Sequence, residues 1–508
     1  MKNKFFSSLL ILTLLAAASP AQKRGRTTTN PAPSAATPAA RPQAAYEIPF
    51  KVKTLTNGMD VIVLSDSSVP VVTIEFAVRT GSFTEPPELN GLSHLYEHMF
   101  FKPNSARLLV QCENAMRNGP LNAYGQQVCA SPLRLKSTIG DTSYLNEIDQ
   151  IGIVSNAETH EEVVNYYLTT TTPHLLTAMK FVKDSVRYPN FDEGEFAGER
   201  SVVLSELDRN MSQPFYFLDR ALHDKLFYKY QTRKSPGGTR ATVGAATTEQ
   251  MRLIQSRYYV PNNSALVVTG DVNAEIVFNL AEQLFGDWPR AEDPFVKHPL
   301  VEHPPLRSSE GMIINQPVES VIAQIGWQGP SIGKDNAATY AADVFSYIVG
   351  QPDSKFQRAM IDTGLAVAAD VHYYTQKNVG PIRITLVTSP DKAKAAVKAL
   401  YSQIDQFANP AYFTDAELEN AKTLLEAEDL FRREKLSSYT HSISFWWSTT
   451  GVDYYRGYHK NLRAVTRADI ARYITNYIQS KPHIGMALIS DEQQTSAKLT
   501  VDDLIGGK

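Results

Sequence analysis

Five prolines crowd into residues 289–305, PRAEDPFVKHPLVEHPP. Proline lacks a backbone N–H and fixes φ, so this density ends regular structure and marks a linker. The break divides the chain into two halves of similar length, about 46–290 and 306–508. Each half opens with strand-like runs and continues into helical ones. In the first, Val52 to Leu64 holds a strand, an Asn57-Gly58 turn and a second strand, DVIVL. A third strand follows at Val71 to Val78, and a helical pattern starts near Asn90. In the second, Ile313 to Trp327 is strand-like and Ala337 to Gly350 helical. Ile382 to Val387 is a strand, and Asp391 to Phe407 an amphipathic helix. Strands mixed with long helices, without strict βαβ alternation, predict an α+β fold. No strong internal repeat is visible, which leaves room for a repeated fold whose sequence has diverged.

The chain begins with Lys2 and Lys4, an apolar run from Phe5 to Ala18, and small residues ending in Ser19-Pro20-Ala21. That order predicts a secretory signal peptide over 1–21. The apolar run is shorter than the ~20 residues of a membrane span. Cleavage after Ala21 leaves 487 residues with net charge −5, against −3 for the whole chain. Residues 22–45 are rich in Pro, Ala and Thr and read as a linker. The expected product is exported, periplasmic or secreted, without stable membrane insertion. The near balance of 50 basic and 53 acidic residues argues against nucleic acid as the partner.

The segment Gly91-Leu-Ser-His94-Leu-Tyr-Glu97-His98-Met99 contains H-x-x-E-H. On a helix, His94 and His98 are one turn apart with Glu97 on the same face, while Leu92, Leu95 and Met99 form a separate apolar stripe. One face can pack while the other holds Zn²⁺ between two imidazoles, with Glu97 as the base toward water. Asn90 is the expected N-cap. Catalytic zinc needs a third protein ligand. Glu199 and Glu206, seven residues apart, share a helical face flanked by Val202 and Val203. Spacing alone does not choose between metal ligands there and acids that reach water at a helix edge.

At this point the chain resembles the pitrilysin/insulinase family of zinc peptidases, the H-x-x-E-H inverzincins. The resemblance is carried by LTNGMDVIVLSDSSVPVVTIEFAVRTGSFTEPPELNGLSHLYEHMFFK, SNAETHEEVVNYYLTTTTPHL, FDEGEFAGERSVVLSEL and YYVPNNSALVVTGDV, and more loosely by GQPDSKFQRAMIDTGLA. It implies two homologous α/β-sandwich domains of the pitrilysin/processing-peptidase type, each a mixed or antiparallel sheet with helices packed on it. It implies one Zn²⁺ per chain held by His94, His98 and Glu206, with Glu97 as catalytic base and Glu199 orienting the site. Asn156 and Ala157 match an edge-strand dipeptide that holds substrate. The implied activity is zinc-dependent endopeptidase action on peptides or unfolded polypeptides. The alternative is a non-catalytic or partner-dependent subunit of a paired complex. Half-size relatives act as homodimers or heterodimers, so a related subunit is an expected partner.

The chain departs from the family pattern at an insertion of about 103–143, which contains its only cysteines, Cys112 and Cys129. Export would expose them to oxidising conditions, so a disulfide is expected there, with two buried thiols as the alternative. The family also places an Arg and a Tyr across the cleft. Arg383 lies in a comparable place without a nearby Tyr, and is expected as a surface strand residue. Phe445-Trp446-Trp447 and Tyr454-Tyr455 are expected in the core.

Overall fold

The computed structural model describes residues 48–507. The expected signal peptide, the linker over 22–45 and the start of the first half at Tyr46 lie outside them. Among the described residues, no helix is long and apolar enough to cross a membrane.

Among the described residues, eleven strands form two sheets. The first is built from β1 (Lys51–Thr54), β2 (Asp60–Ser65), β3 (Val71–Val78), β4 (Val154–Thr159), β5 (Val164–Thr171) and β6 (Ser264–Gly270), in the order β1-β2-β6-β3-β5-β4. The second is built from β7 (Glu310–Asn315), β8 (Val321–Gln328), β9 (Ala368–Tyr373), β10 (Pro381–Thr388) and β11 (Ile484–Ile489), in the order β7-β11-β8-β10-β9. If β1 is set aside, the two sheets have the same topology. β2 pairs parallel with β6 as β7 does with β11, and every other pairing is antiparallel in both. The repeat absent from the sequence is therefore present in the fold. The run from Ile313 to Trp327 resolves into two strands, because Pro317 supplies no N–H to continue the ladder.

Helices of eight residues or more are numbered in chain order. In the first half they are α1 (Leu92–Met99), α2 (Ser105–Arg117), α3 (Ala123–Ile139), α4 (Leu175–Arg187), α5 (Glu193–Met211), α6 (Pro214–Leu226), α7 (Thr248–Tyr258) and α8 (Ala274–Phe285). In the second they are α9 (Asn336–Gly350), α10 (Ala393–Ile404), α11 (Asp415–Arg432), α12 (Leu436–Thr449) and α13 (Arg467–Tyr477). Alternation along β3 sends Val72, Ile74, Phe76 and Val78 into one core with α1, α4, α5, α7 and α8. The opposite face of that sheet is covered by α12, which comes from the second half. In the same way α6, from the first half, covers β8 and β11 of the second sheet, with Leu222 lying over Gly326. Each half thus lends one helix to the other. The aromatic cluster belongs to this exchange: Trp447 of α12 is 1% exposed and donates Nε1–H to Asp60 of β2.

Burial of α12 on a sheet face brings one carboxylate in with it. Glu75 of β3 is 0% exposed. Its oxygens accept from Asn165 at 2.7 Å and from Ser444 of α12, and it lies 2.5 Å from His441 Nδ1 of α12. A buried charge is tolerated only when paired and hydrogen-bonded in this way. Burial opposes the charge on His441, but Glu75 outweighs it and raises the imidazole pKa above its ordinary value. A raised histidine contributes stability that is complete below the unfolded pKa and lost as pH rises through the folded one. His441→Gln is accordingly expected to lower Tm at pH 6, and the difference from wild type should narrow as pH is raised toward 9. Calorimetry across that range checks it, and a constant difference would remove the charge from the account.

The stretch 103–143 is a helical hairpin. Asn104 caps α2, Asn122 caps α3, and Cys112 and Cys129 join the two helices through a disulfide. Leu109 and Ile139 pack with Tyr188, and Lys183 of α4 donates to the Ile139 carbonyl at 2.8 Å. The hairpin is therefore held both to itself and to the body of the first half.

Candidate metal centre

α1 stands on a sharply defined start. Gly91 has φ 90°, and a Cβ there would meet the Gly238 Cα at 2.7 Å, so this crossing admits only glycine. The expected N-cap is displaced. Asn90 turns away and donates to the Thr232 and Ser235 carbonyls, each at 2.9 Å. Glu85, buried, takes over the helix end: it accepts from Gly91 N at 2.8 Å and Ser93 N at 2.6 Å. A carboxylate at a helix N-terminus satisfies free N–H groups and complements the dipole. Burial raises the Glu85 pKa against the lowering effect of those same bonds. Nothing in the local sequence marks Glu85 for this role, because it lies outside the helix it caps.

Leu92, Leu95 and Met99 are buried against the first sheet, which turns His94, Glu97 and His98 toward α5. α5 begins at the Asp192 cap and runs long enough to present both Glu199 and Glu206. The side chains of His94, His98 and Glu206 offer one ligand atom each, all within 4.8 Å of one another. His94 Nε2 and His98 Nε2 stand 3.7 and 3.6 Å from the same oxygen of Glu206. Those separations exceed a hydrogen bond and suit three donors arranged around a cation. Two imidazole nitrogens and one carboxylate oxygen are a donor set that zinc accepts, and the residues present fit it.

Glu199 does not join the three. It lies 3.0 Å from His98 Nδ1 and forms an ion pair with Lys102, one turn beyond His98. It fixes the ring orientation of His98 from behind, as a carboxylate does for a metal-binding imidazole. The two valines expected to flank these acids part company: Val203 is buried, whereas Val202 is 44% exposed. Glu97 accepts from Thr159 Oγ1 at 2.8 Å. Thr159 ends β4, and period-two alternation places it on the α1 side with Ala157, a signal that strand patterning could have supplied.

The electrostatics divide the motif. Burial lowers the His94 pKa to about 4, assisted by His98 and opposed by Glu206, so its imidazole is neutral at pH 7. Burial raises Glu97 to about 7, against His98 and Thr159. Burial disfavours charge on His98 too, but the hydrogen bond to Glu199 and the nearby carboxylates of Glu206 and Glu97 raise it to about 9. A cation entering the site must displace that proton, so occupancy falls with acid.

Asn156 and Ala157 lie on β4, which forms one edge of the first sheet. Arg383, expected on the surface, is instead half-buried on β10 and pairs with Asp219 of α6 at 2.6 Å. The reason is the exchanged helix, which covers that strand face. Phe445 stacks with Tyr374, and Trp446 with Tyr454 and Tyr455.

Two sheets of one topology, with an H-x-x-E-H helix packed beside a glutamate-bearing helix, define the class as metallopeptidase-like. The comparisons with known proteins agree. The profile described as "Insulinase (Peptidase family M16)" matches residues 60–126 and 134–240, and "Peptidase M16 inactive domain" matches 245–425. The chain belongs to this family, the pitrilysin/insulinase family M16. The interruption between the two first-half segments falls inside α3. A protein of Rickettsia felis named as an uncharacterized zinc protease is 25% identical over 401 residues, 78% of this chain and 86% of the relative. Zinc protease PqqE of Helicobacter pylori is 22% identical over 433 residues, 84% of this chain and 89% of the relative. A solved protease from Helicobacter pylori superposes with TM-score 0.73 at 19% identity, covering 87% of this chain and 100% of the other. The four residues expected as ligands and base, His94, Glu97, His98 and Glu206, all fall within the first-half match.

Glu199→Ala is expected to leave the three donors in place and weaken zinc binding about 10–100-fold. Titration with zinc against a competing chelator measures it. Affinity equal to wild type would mean that Glu199 does not hold His98.

Proposed function

We propose that the protein is a zinc-dependent endopeptidase that cleaves peptides or unfolded polypeptides. The observation that carries this reading is the convergence of His94, His98 and Glu206 beside Glu97, itself held by Thr159. Zinc bound by those three donors supplies Lewis acidity that polarises a carbonyl and acidifies water. Glu97 takes the proton of the attacking water and delivers it to the leaving amide nitrogen. Its burial suits both roles, since a carboxyl near 7 accepts and returns a proton at neutral pH. β4 receives the substrate as an added strand, with Asn156 and Ala157 at its centre. One metal per chain is proposed, supported by the single group of such donors found among the described residues.

The chain is further proposed to be exported, as its first 21 residues and the Cys112–Cys129 disulfide support. It is proposed to work with a second subunit, either its own copy or a related chain. A relative from Arabidopsis thaliana, 24% identical over 283 residues, is named as the probable β subunit of a mitochondrial processing peptidase.

Glu97→Gln is expected to retain zinc and to lose hydrolysis of a quenched peptide by at least 100-fold, the lower range for a general base. Metal content and rate are measured on the same preparation. A variant that cleaves as fast as wild type defeats the mechanism. Wild-type protein that binds zinc yet cleaves only after a partner is added favours the paired-subunit reading.

A further inference from the structure

The hairpin of α2 and α3 supplies no donor to the metal centre. Its ties to the body lie at the base, where Leu109 and Ile139 pack with Tyr188, and where Tyr188 and Lys183 donate to the carbonyls of Thr138 and Ile139. Beyond the disulfide, from Glu113 to Val128, no residue is buried. The bonds of that stretch run within the hairpin: Glu113 to Lys136, Arg117 to Asn114, Gln126 to the Leu121 carbonyl. Helices of this length without a core are marginal in water, and here the Asn122 cap and the Cys112–Cys129 bridge hold them. The tip is apolar nonetheless. Tyr124 is 75% and Met116 40% exposed, and a groove of about 550 Å³ opens there between Met116, Pro120, Leu121 and Leu133.

Charge points to what covers this tip. No acid lies between Glu113 and Asp141, although the chain has 53 of them, while the same stretch holds Arg117, Arg134 and Lys136. Lys136 is paired with Glu113. Arg117 donates to the Asn114 side chain and Arg134 to the Ala130 carbonyl, so neither of these cations is neutralised by its partner. We propose that the tip of the hairpin docks on an anionic phospholipid surface, with Met116, Leu121 and Tyr124 entering the headgroup boundary and Arg117 meeting the phosphates. Exposed apolar and aromatic side chains beside unneutralised cations are what peripheral attachment to such a surface requires. Arg134 lies ten residues beyond Tyr124, about 15 Å along α3, which is roughly two Debye lengths at physiological salt. Arg117 therefore carries more of the attraction. The other described residues include more acids than bases, so the same surface repels the body and leaves the hairpin as the point of approach. The attachment is peripheral, as no described helix is long and apolar enough to cross a membrane. A second copy fits the tip less well, since two such tips brought together would set unneutralised arginines against each other. The proposal is independent of the endopeptidase reading.

The test is co-sedimentation of the chain from Gln22 onward with vesicles of phosphatidylcholine alone and of phosphatidylcholine mixed with phosphatidylglycerol. Wild type is expected to bind the mixed vesicles, to leave the neutral ones, and to dissociate as salt is raised. Arg117→Ala is expected to weaken binding about fivefold, the effect of one cation at such a surface. Leu121→Ser combined with Tyr124→Ser is expected to weaken it about tenfold or more, through the loss of two apolar side chains at the boundary. These positions lie outside the core, so Tm and zinc content should match wild type in every variant. Wild type that ignores the mixed vesicles overturns the proposal. Binding that both variants leave untouched also overturns it, and would belong to Lys23, Arg24, Arg26 and Arg41 ahead of the described residues. A wild-type dimer without lipid that the Leu121 and Tyr124 substitutions convert to monomer would assign the tip to a second copy instead.

Discussion

The exchange of helices between the halves is the constraint on which the rest of the structure rests. Without α12, the first sheet would expose Thr73, Glu75 and Ala77 to water along β3, and a carboxylate meant for burial would lie open. With α12 in place, Glu75 meets His441 and Ser444 across 366 and 369 residues of sequence. Polar pairs of this kind are weak sources of net stability, but they are demanding about geometry. A helix that slid by one residue would take His441 and Ser444 away from Glu75 and leave it only the amide of Asn165. The two halves are thus held in one register, and with them the sheet on which β4 and α1 depend.

Rigidity at the centre is layered outward in the same way. The three donors come from two helices. α1 is fixed at its start by Glu85 and by the Gly91–Gly238 crossing, and on its buried side by the sheet. α5 is fixed at its start by Asp192 and is joined to α1 through Glu199, His98 and Lys102. One of the three, His98, is therefore oriented by a carboxylate outside the set, as a metal site of defined geometry requires.

Local chemistry was legible in the sequence where it obeys a period. The H-x-x-E-H spacing and the apolar stripe of α1 follow from 3.6 residues per turn, and β2, β3 and β10 from runs of β-branched residues. Glu206 and Glu199 shared a face by spacing, but nothing in that spacing separated donor from orienting group; only the three-dimensional position of His98 does so. Glu85 escaped notice because a cap from outside its helix leaves no local mark. Arg383 was misplaced for a related reason: its strand reads as half-exposed until a helix from the other half lies over it. The repeated topology was equally hidden, since β-pairing order is a long-range property and the two halves share little residue identity to betray it.

An open strand edge has a cost as well as a use. The outer side of β4 offers a row of backbone donors and acceptors to any extended chain, and that includes the edge of another folded copy. The strand begins at exposed Val154, an apolar invitation to such pairing. It carries Glu158 near its far end, and the hydrogen bond from His160 lowers the Glu158 pKa and so keeps it ionised. Identical edges that approached one another would bring two such charges into the same narrow ribbon. Any chain that adds there, foreign or identical, must therefore accommodate the ion pair of Glu158 and His160 at that end of the strand.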